Sequence, residues 1–139
     1  MLACTSFDTA LVETITPSAD DFDLLGHVNN IVYLRWAQTI ATKHWQLVAP
    51  TKMRAAFLFV VLRHEIDYRD GIEPGQSAEI RTWLGRAKGP RFERFVDIRK
   101  PGADKSAAFA RTDWCMIDAT TRRPVKINQE VLAAFQVPG

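Results

Sequence analysis

Cysteine is nearly absent from this sequence: two in 139 residues, Cys4 and Cys115. They share no CxxC spacing, so they read as free thiols of a reducing compartment, and a disulfide-stapled scaffold is excluded. A surplus of one charge is equally lacking. Lys and Arg number 18 against 16 Asp and Glu, a net charge of +2. That is too little for a nucleic-acid footprint, even with an isoelectric point near 8.7. Long hydrophobic runs are missing as well. The longest, Ala55 to Leu62, has eight residues, whereas a membrane span needs about 20. The opening residues Met1 to Phe7 offer neither a basic nor an apolar signal region, so a cytoplasmic protein with no membrane partner is expected. No repeat, low-complexity tract or long linker divides the chain. What remains is ordinary: 47% hydrophobic and 24% charged residues. That suits one globular domain over residues 1–139, at roughly 150 residues per domain.

Apolar and β-branched residues from Thr5 to Ile15 predict a first strand, stopped by Thr16-Pro17-Ser18. From Val28 the period changes. Tyr33, Trp36, Ala37, Ile40, Ala41, Trp45 and Val48 fall at helical spacing. Asn29 or Asn30 caps this helix, and Pro50 marks its end. Ile31, Leu34 and Leu47 widen the apolar stripe, so the helix is expected to be buried. After a polar connection, Thr51 to Arg54, the pattern turns to strands. Val60, Leu62, His64, Ile66 and Tyr68 alternate with Val61, Arg63, Glu65, Asp67 and Arg69, one face in and one face out. Ala78 to Leu84 gives the next strand, broken by Gly85 to Pro90; Phe92 to Arg99 and Ala107 to Ala119 follow. Asn128 caps a short helix, Gln129 to Phe135. The expected class is α+β: a long helix wrapped by a curved antiparallel sheet, four of whose strands run in a meander. Open sheet edges, with Val61 and Trp83 adding apolar area outside, predict a homodimer or a dimer of dimers.

The most informative stretch is Asp23-Leu24-Leu25-Gly26-His27-Val28-Asn29-Asn30. It sets a carboxylate in a loop just before the N-terminus of the buried helix, where unpaired N–H groups and the positive end of the helix dipole meet. Gly26 lets the backbone turn or lets a ligand come close. A carbonyl placed there would be polarised by the helix amides with Asp23 beside it, the parts that acyl transfer needs. Spacing alone also allows Asp23 to be a cap and His27 a hydrogen-bonding spacer. His64 falls on the apolar face of its strand and reads as a satisfied core histidine, and Cys115 as core. His44 shares no metal-ligand spacing with His27, and no metal site is expected.

Asp23-x-x-Gly-His-Val-Asn-Asn-x-x-Tyr-x-x-Trp, from Asp23 through Tyr33 to Trp36, resembles the signature of hot-dog-fold acyl thioesterases of the 4-hydroxybenzoyl-CoA and acyl-CoA branch. His27-Val28-Asn29-Asn30 is also similar to plant acyl-ACP thioesterases. The resemblance implies a hot-dog domain that pairs with a second copy, with active sites at the interface. It implies Asp23 as general base or nucleophile, amides near Val28 to Asn30 as holders of the carbonyl oxygen, and His27 as a member of the catalytic set. It implies no cofactor beyond coenzyme A as part of an acyl-CoA substrate. Leu25 stands where the plant enzymes carry Asn, and no Glu follows Tyr68-Arg69; Asp70 and Glu65 are the nearest acids. Arg86, Lys88, Arg91 and Arg94 around Gly89-Pro90 are a solvated face or a clamp on coenzyme A phosphates, with Lys88 and Arg91 as candidates. Trp83 and Tyr68 line an acyl pocket or pack the core. Two rival functions stand beside acyl-CoA hydrolysis: an acyl-CoA-binding module without turnover, which would not need Asp23, and an acyl-ACP thioesterase.

Overall fold

The computed structural model of the chain describes residues 5–136. Its elements are β1 (Leu11–Ile15), α1 (Asn30–Val48), α2 (Thr51–Ala56), β2 (Phe57–Tyr68), β3 (Ala78–Lys88), β4 (Arg91–Arg99), β5 (Ala108–Asp118) and α3 (Gln129–Phe135). Asn29 caps α1 by accepting the Ile31 amide, and Asn128 caps α3 by accepting that of Val131, so both helix starts follow from local chemistry. The strands form one antiparallel sheet in the order β1-β3-β4-β5-β2. A long helix on one antiparallel sheet is the α+β layer expected. Among the described residues no helix is long and apolar enough to cross a membrane. Cys4 lies outside the described residues; Cys115 is buried with a free thiol.

Several expectations need correction. The four later strands are not one meander: β2 pairs with β5, at the far edge from β3. The connection 69–77 is too long for a tight hairpin. It crosses three strand spacings, about 14 Å, and buries Ile72 fully on the way. The first strand starts only at Leu11, because Thr9 Oγ1 accepts the amides of Thr5 and Ser6 and curls that segment on itself. Thr51–Ala56 is a helix rather than a polar connection. β3 runs past Gly85 through an irregularity to Lys88. Ile31 and Leu47 are exposed; the buried stripe of α1 is Val32, Tyr33, Trp36, Ala37, Ile40, Ala41 and His44.

The largest correction concerns parity along β2. A bulge between Val61 and Arg63 inserts one residue and resets the alternation. Val61 pairs with Trp114 and so faces the helix, together with Phe57 and Phe59 before the bulge and His64, Ile66 and Tyr68 after it. Leu58, Val60 and Leu62 stand exposed. β2 is therefore an edge strand with an apolar outer row.

The inner face also holds a polar row. Thr82, Arg94, Thr112 and His64 lie across β3, β4, β5 and β2, and α1 sets His44 against them. Arg94 is 2% exposed, because it shares an inward parity with Phe92, Val96 and Ile98. It cannot belong to a surface clamp. Its guanidinium donates to Thr82 Oγ1 and His44 Nδ1, both at 2.9 Å. His64 Nδ1 lies 2.8 Å from Thr112 Oγ1, while its buried Nε2 has no partner among the described residues, so only one ring nitrogen is met there. This row divides the core in two. One cluster, around Tyr33, Trp36, Ile80 and Ile98, underlies the start of α1. The other, around Leu84, Phe92, Met116 and Phe135, underlies its end.

Burial, with the Arg94 charge adding to it, pushes the His44 imidazole down to about 3. The folded state thus resists a proton that the unfolded chain accepts near pH 6.5. Stability is full above that pH and falls as pH drops from about 6.5 towards 3. Urea midpoints at pH 7 and pH 5 should differ more in the wild type than in His44→Gln; equal differences would refute the assignment.

Candidate functional site

Two stretches of chain meet at the start of α1. The first is the loop 19–29. Asp21 anchors it: its carboxylate accepts Arg35 Nη2 at 2.6 Å and the Ser18 amide at 2.9 Å, and its carbonyl accepts the Asn29 amide at 2.8 Å. Burial alone would raise this carboxyl, but the Ser18 amide and Arg35 outweigh it and hold it below the usual carboxylate range. The Asp23 backbone then pairs with His27 and Gly26. Gly26 has φ +80°, a left-handed turn that favours glycine. Asp23 Oδ1 accepts the amides of Leu25 at 2.9 Å and His27 at 3.2 Å. Asp23 Oδ2 has no hydrogen-bond partner among the described residues. One oxygen of this carboxylate therefore holds the loop, and the other is left available beside it.

The second stretch is 68–73. Ile72 O accepts the Val28 amide at 2.9 Å, and the Ile72 amide donates to the Tyr33 hydroxyl at 3.3 Å. Tyr68 Oη donates to Asn30 O at 3.1 Å. The two tyrosines of the sequence thus converge, with ring centroids 5.7 Å apart. Burial raises both phenols, which keeps them protonated. The imidazole of His27 lies flat against Gly71: a Cβ there would sit 2.6 Å from His27 Cδ2. His27 Nε2 is 3.7 Å from Glu73 Oε1.

These groups line one open cavity of about 460 Å³ that holds Asp23, His27, Asn30, Tyr33, Tyr68 and Asp70. The amides at the helix start are not equivalent. His27 N–H goes to Asp23, Val28 N–H to Ile72, Asn29 N–H to Asp21 and Ile31 N–H to the Asn29 side chain. Among the described residues only the Asn30 amide of this run is left unbonded, so of the oxygen-holding amides expected between Val28 and Asn30, Asn30 is the one still able to donate. Of the two second-acid candidates, Asp70 lines the cavity, while Glu65 pairs with Arg63 at 2.8 Å, on the outer side of β2. Gly71, in the lining, and Glu73, beside His27, are neighbours the sequence did not single out, and Tyr33 of the signature presents its hydroxyl to the Ile72 amide. Lys88 lies at the opposite end of the sheet, with Lys126 beside a cavity of about 230 Å³, and Arg91 is exposed across the same turn. Among the described residues no three His, Cys, Asp or Glu side chains cluster as metal ligands.

Residues 17–135 match the model of a family described as the thioesterase-like superfamily. In structure the chain is similar to a thioesterase from Thermus thermophilus solved with coenzyme A and zinc (TM-score 0.78, 21% identity, 90% of each chain). It is also similar to a 1,4-dihydroxy-2-naphthoyl-CoA thioesterase from Synechocystis (TM-score 0.77, 15% identity, 91% of this chain and 95% of that one). A third is YbaW, a probable thioesterase from Escherichia coli (TM-score 0.77, 19% identity, 90% of this chain and 96% of that one). At these identities the likeness is one of fold. No curated protein matches the chain.

The loop bonds of Asp23 Oδ1 have a measurable consequence. Asp23→Ala removes the acceptor for two loop amides and should lower stability by about 1 kcal/mol, the usual loss for a short polar cap. Asp23→Asn keeps an acceptor oxygen and should unfold within about 0.5 kcal/mol of the wild type. Denaturant curves in which both variants lose equally would show that Oδ1 does not hold the loop.

Proposed function

The chain belongs to the thioesterase-like superfamily, and from that membership and the geometry around Asp23 we propose that it hydrolyses an acyl-CoA thioester to free acid and coenzyme A. The observation that carries this reading is the pairing of Asp23 Oδ2, unpartnered among the described residues, with the unbonded Asn30 amide in one cavity. The thioester carbonyl oxygen sits at the Asn30 N–H, where α1, 19 residues long, presents the positive end of its dipole. Asp23 Oδ2 takes the proton of a water whose oxygen bonds to the carbonyl carbon as the C–S bond breaks; or Oδ2 itself forms that bond, the thiolate leaves, and water then cleaves the acyl–Asp23 anhydride to free acid and carboxylate. Charge gathers on the carbonyl oxygen in the transition state, which is where a fixed amide contributes most. His27, placed by Gly71 and Glu73, is the group at hand to return a proton to the leaving thiolate.

The site is proposed to work in a pair of chains. β2 leaves one backbone edge open, and Leu58, Val60 and Leu62 are 36–46% exposed along it, a combination that favours edge-to-edge pairing with a second copy. Lys88, with Lys126 nearby, and Arg91 remain candidates for the phosphates of coenzyme A; within one chain they lie at the far end of the sheet from Asp23.

Asp23→Asn should lower kcat by at least about a hundredfold on acyl-CoA substrates, the scale of a positioned acid–base group. Thiol release followed with a colorimetric reagent measures it, and near-wild-type turnover by the folded variant would remove the assignment. A binding module without turnover would release no thiol from either protein. Light scattering at micromolar concentration should show no dominant species at the 15.7 kDa of one chain. Lys88→Ala and Arg91→Ala should raise KM for the CoA thioester, with little change in kcat and none in KM for the pantetheine thioester; equal shifts on both would rule the clamp out.

A further inference from the structure

A second cavity, of about 130 Å³, lies between the end of α1, the start of β2 and α3. An apolar cavity of about 150 Å³ holds one benzene ring, so this one suits a single ring or a short branched chain. Its walls are aromatic. Trp45 and Phe59 meet edge to face at 4.8 Å, Phe59 and Phe92 at 5.2 Å, and Trp45 stacks on Phe135 at 5.4 Å. Two of its lining groups are out of character with such a box. Arg94 brings a buried positive charge. Trp114 brings an indole N–H that is buried and finds no acceptor among the described residues. A buried donor left unmet is costly, and a ligand that supplies the acceptor recovers that loss. Apart from the exposed Thr42 hydroxyl, every polar side-chain atom of the lining is a donor.

We propose that this cavity selects the far end of the acyl group, taking a short chain or single ring tipped by an oxygen that only accepts hydrogen bonds, a keto or carboxylate oxygen. Such an oxygen meets the Trp114 N–H and the field of Arg94 together. A hydroxyl would add a donor of its own to a wall that has donors already. The proposal rests on the thioesterase reading and on the pairing of β2 edges. In one chain, Phe59 at the cavity and Tyr68 at the Asp23 site are about 30 Å apart along the strand, beyond any short acyl group. An antiparallel pair of β2 edges related by a two-fold axis reverses the ends, so the start of one β2 lies beside the end of the other. The cavity of one copy then receives the acyl end of the thioester held at the other copy's Asp23.

Three thioesters of one heavy-atom outline test this: 5-oxohexanoyl-CoA, glutaryl-CoA and 5-methylhexanoyl-CoA, whose fifth carbon carries an oxygen and a methyl, two oxygens, or two methyls. For the wild type, kcat/KM should favour one or both oxygen-tipped substrates over the methyl isostere by at least about tenfold, because the isostere leaves a buried donor unpaired. Which of the two leads separates keto from carboxylate. Trp114→Phe, which removes the N–H and keeps an aromatic wall, should shrink that ratio about tenfold. Equal rates on all three with the wild type, or an unchanged ratio in the variant, overturn the proposal while leaving hydrolysis intact. Calorimetry of the same three thioesters on Asp23→Asn reads the preference without turnover. A preference there that Trp114→Phe removes upholds the subsite even if the wild type hydrolyses none of them; its absence refutes it.

Discussion

Burying Ile72 beneath the start of α1 ties together two stretches of chain that come from opposite sides of the sheet. Its carbonyl takes the Val28 amide and its amide reaches the Tyr33 hydroxyl, so a fully buried residue also commits both backbone groups to the helix start. An unmet amide or carbonyl at such depth would offset much of what burying the side chain gains, and the contact therefore holds as a unit. Much follows from it. The crossing 69–77 is pressed against the loop before α1, which lays Gly71 on His27 and brings Asp70 to the cavity of Asp23. With Val28 engaged by Ile72 and Asn29 by Asp21, the helix N-terminus keeps, among the described residues, the Asn30 amide as its unbonded donor, and the site acquires a direction.

The polar row across the sheet gives the two ends of the molecule different characters. Beneath the Asp23 cavity the core is mostly Val, Ile and Ala, packed with Tyr33 and Trp36 of α1. Beyond Arg94 and His44 the packing is dominated by rings that meet edge to face around a space. Holding a guanidinium and a neutral imidazole between these clusters is costly in desolvation. Thr82 and His44 accept from Arg94 and so offset part of that cost.

What could be read from the sequence was what is local. The period of α1, the Asn29 and Asn128 caps and the turn at Gly26 are set within a few residues, and each appears where its side chains dictate. Asp23, His27 and Asn30 meet in one cavity because they sit on one loop and its helix cap. The strand order was not legible, since nothing in β2 names β5 over β3 as a neighbour; the length of 69–77 was the only hint. The bulge after Val61 hid the true inner row, because strict alternation cannot register an inserted residue. Arg94 was misjudged among its basic neighbours. Its inward parity with Phe92 and Val96 was visible, but the acceptors that make an interior guanidinium tolerable come from α1 and β3. Glu73 and Gly71 join His27 only through the long crossing.

The same strand order governs the chain as it emerges during synthesis. β2 contains most of the apolar run Ala55 to Leu62, yet β5, its one strand partner among the described residues, follows some forty to sixty residues later. Until then the run has both edges open and high β propensity, the condition under which nascent chains associate with one another. Arg54 and Arg63 bracket it, placed as charged gatekeepers that interrupt stacking at either end. A crossing that completes the Asp23 cavity in the finished molecule thereby prolongs the interval in which its most adhesive strand is bare.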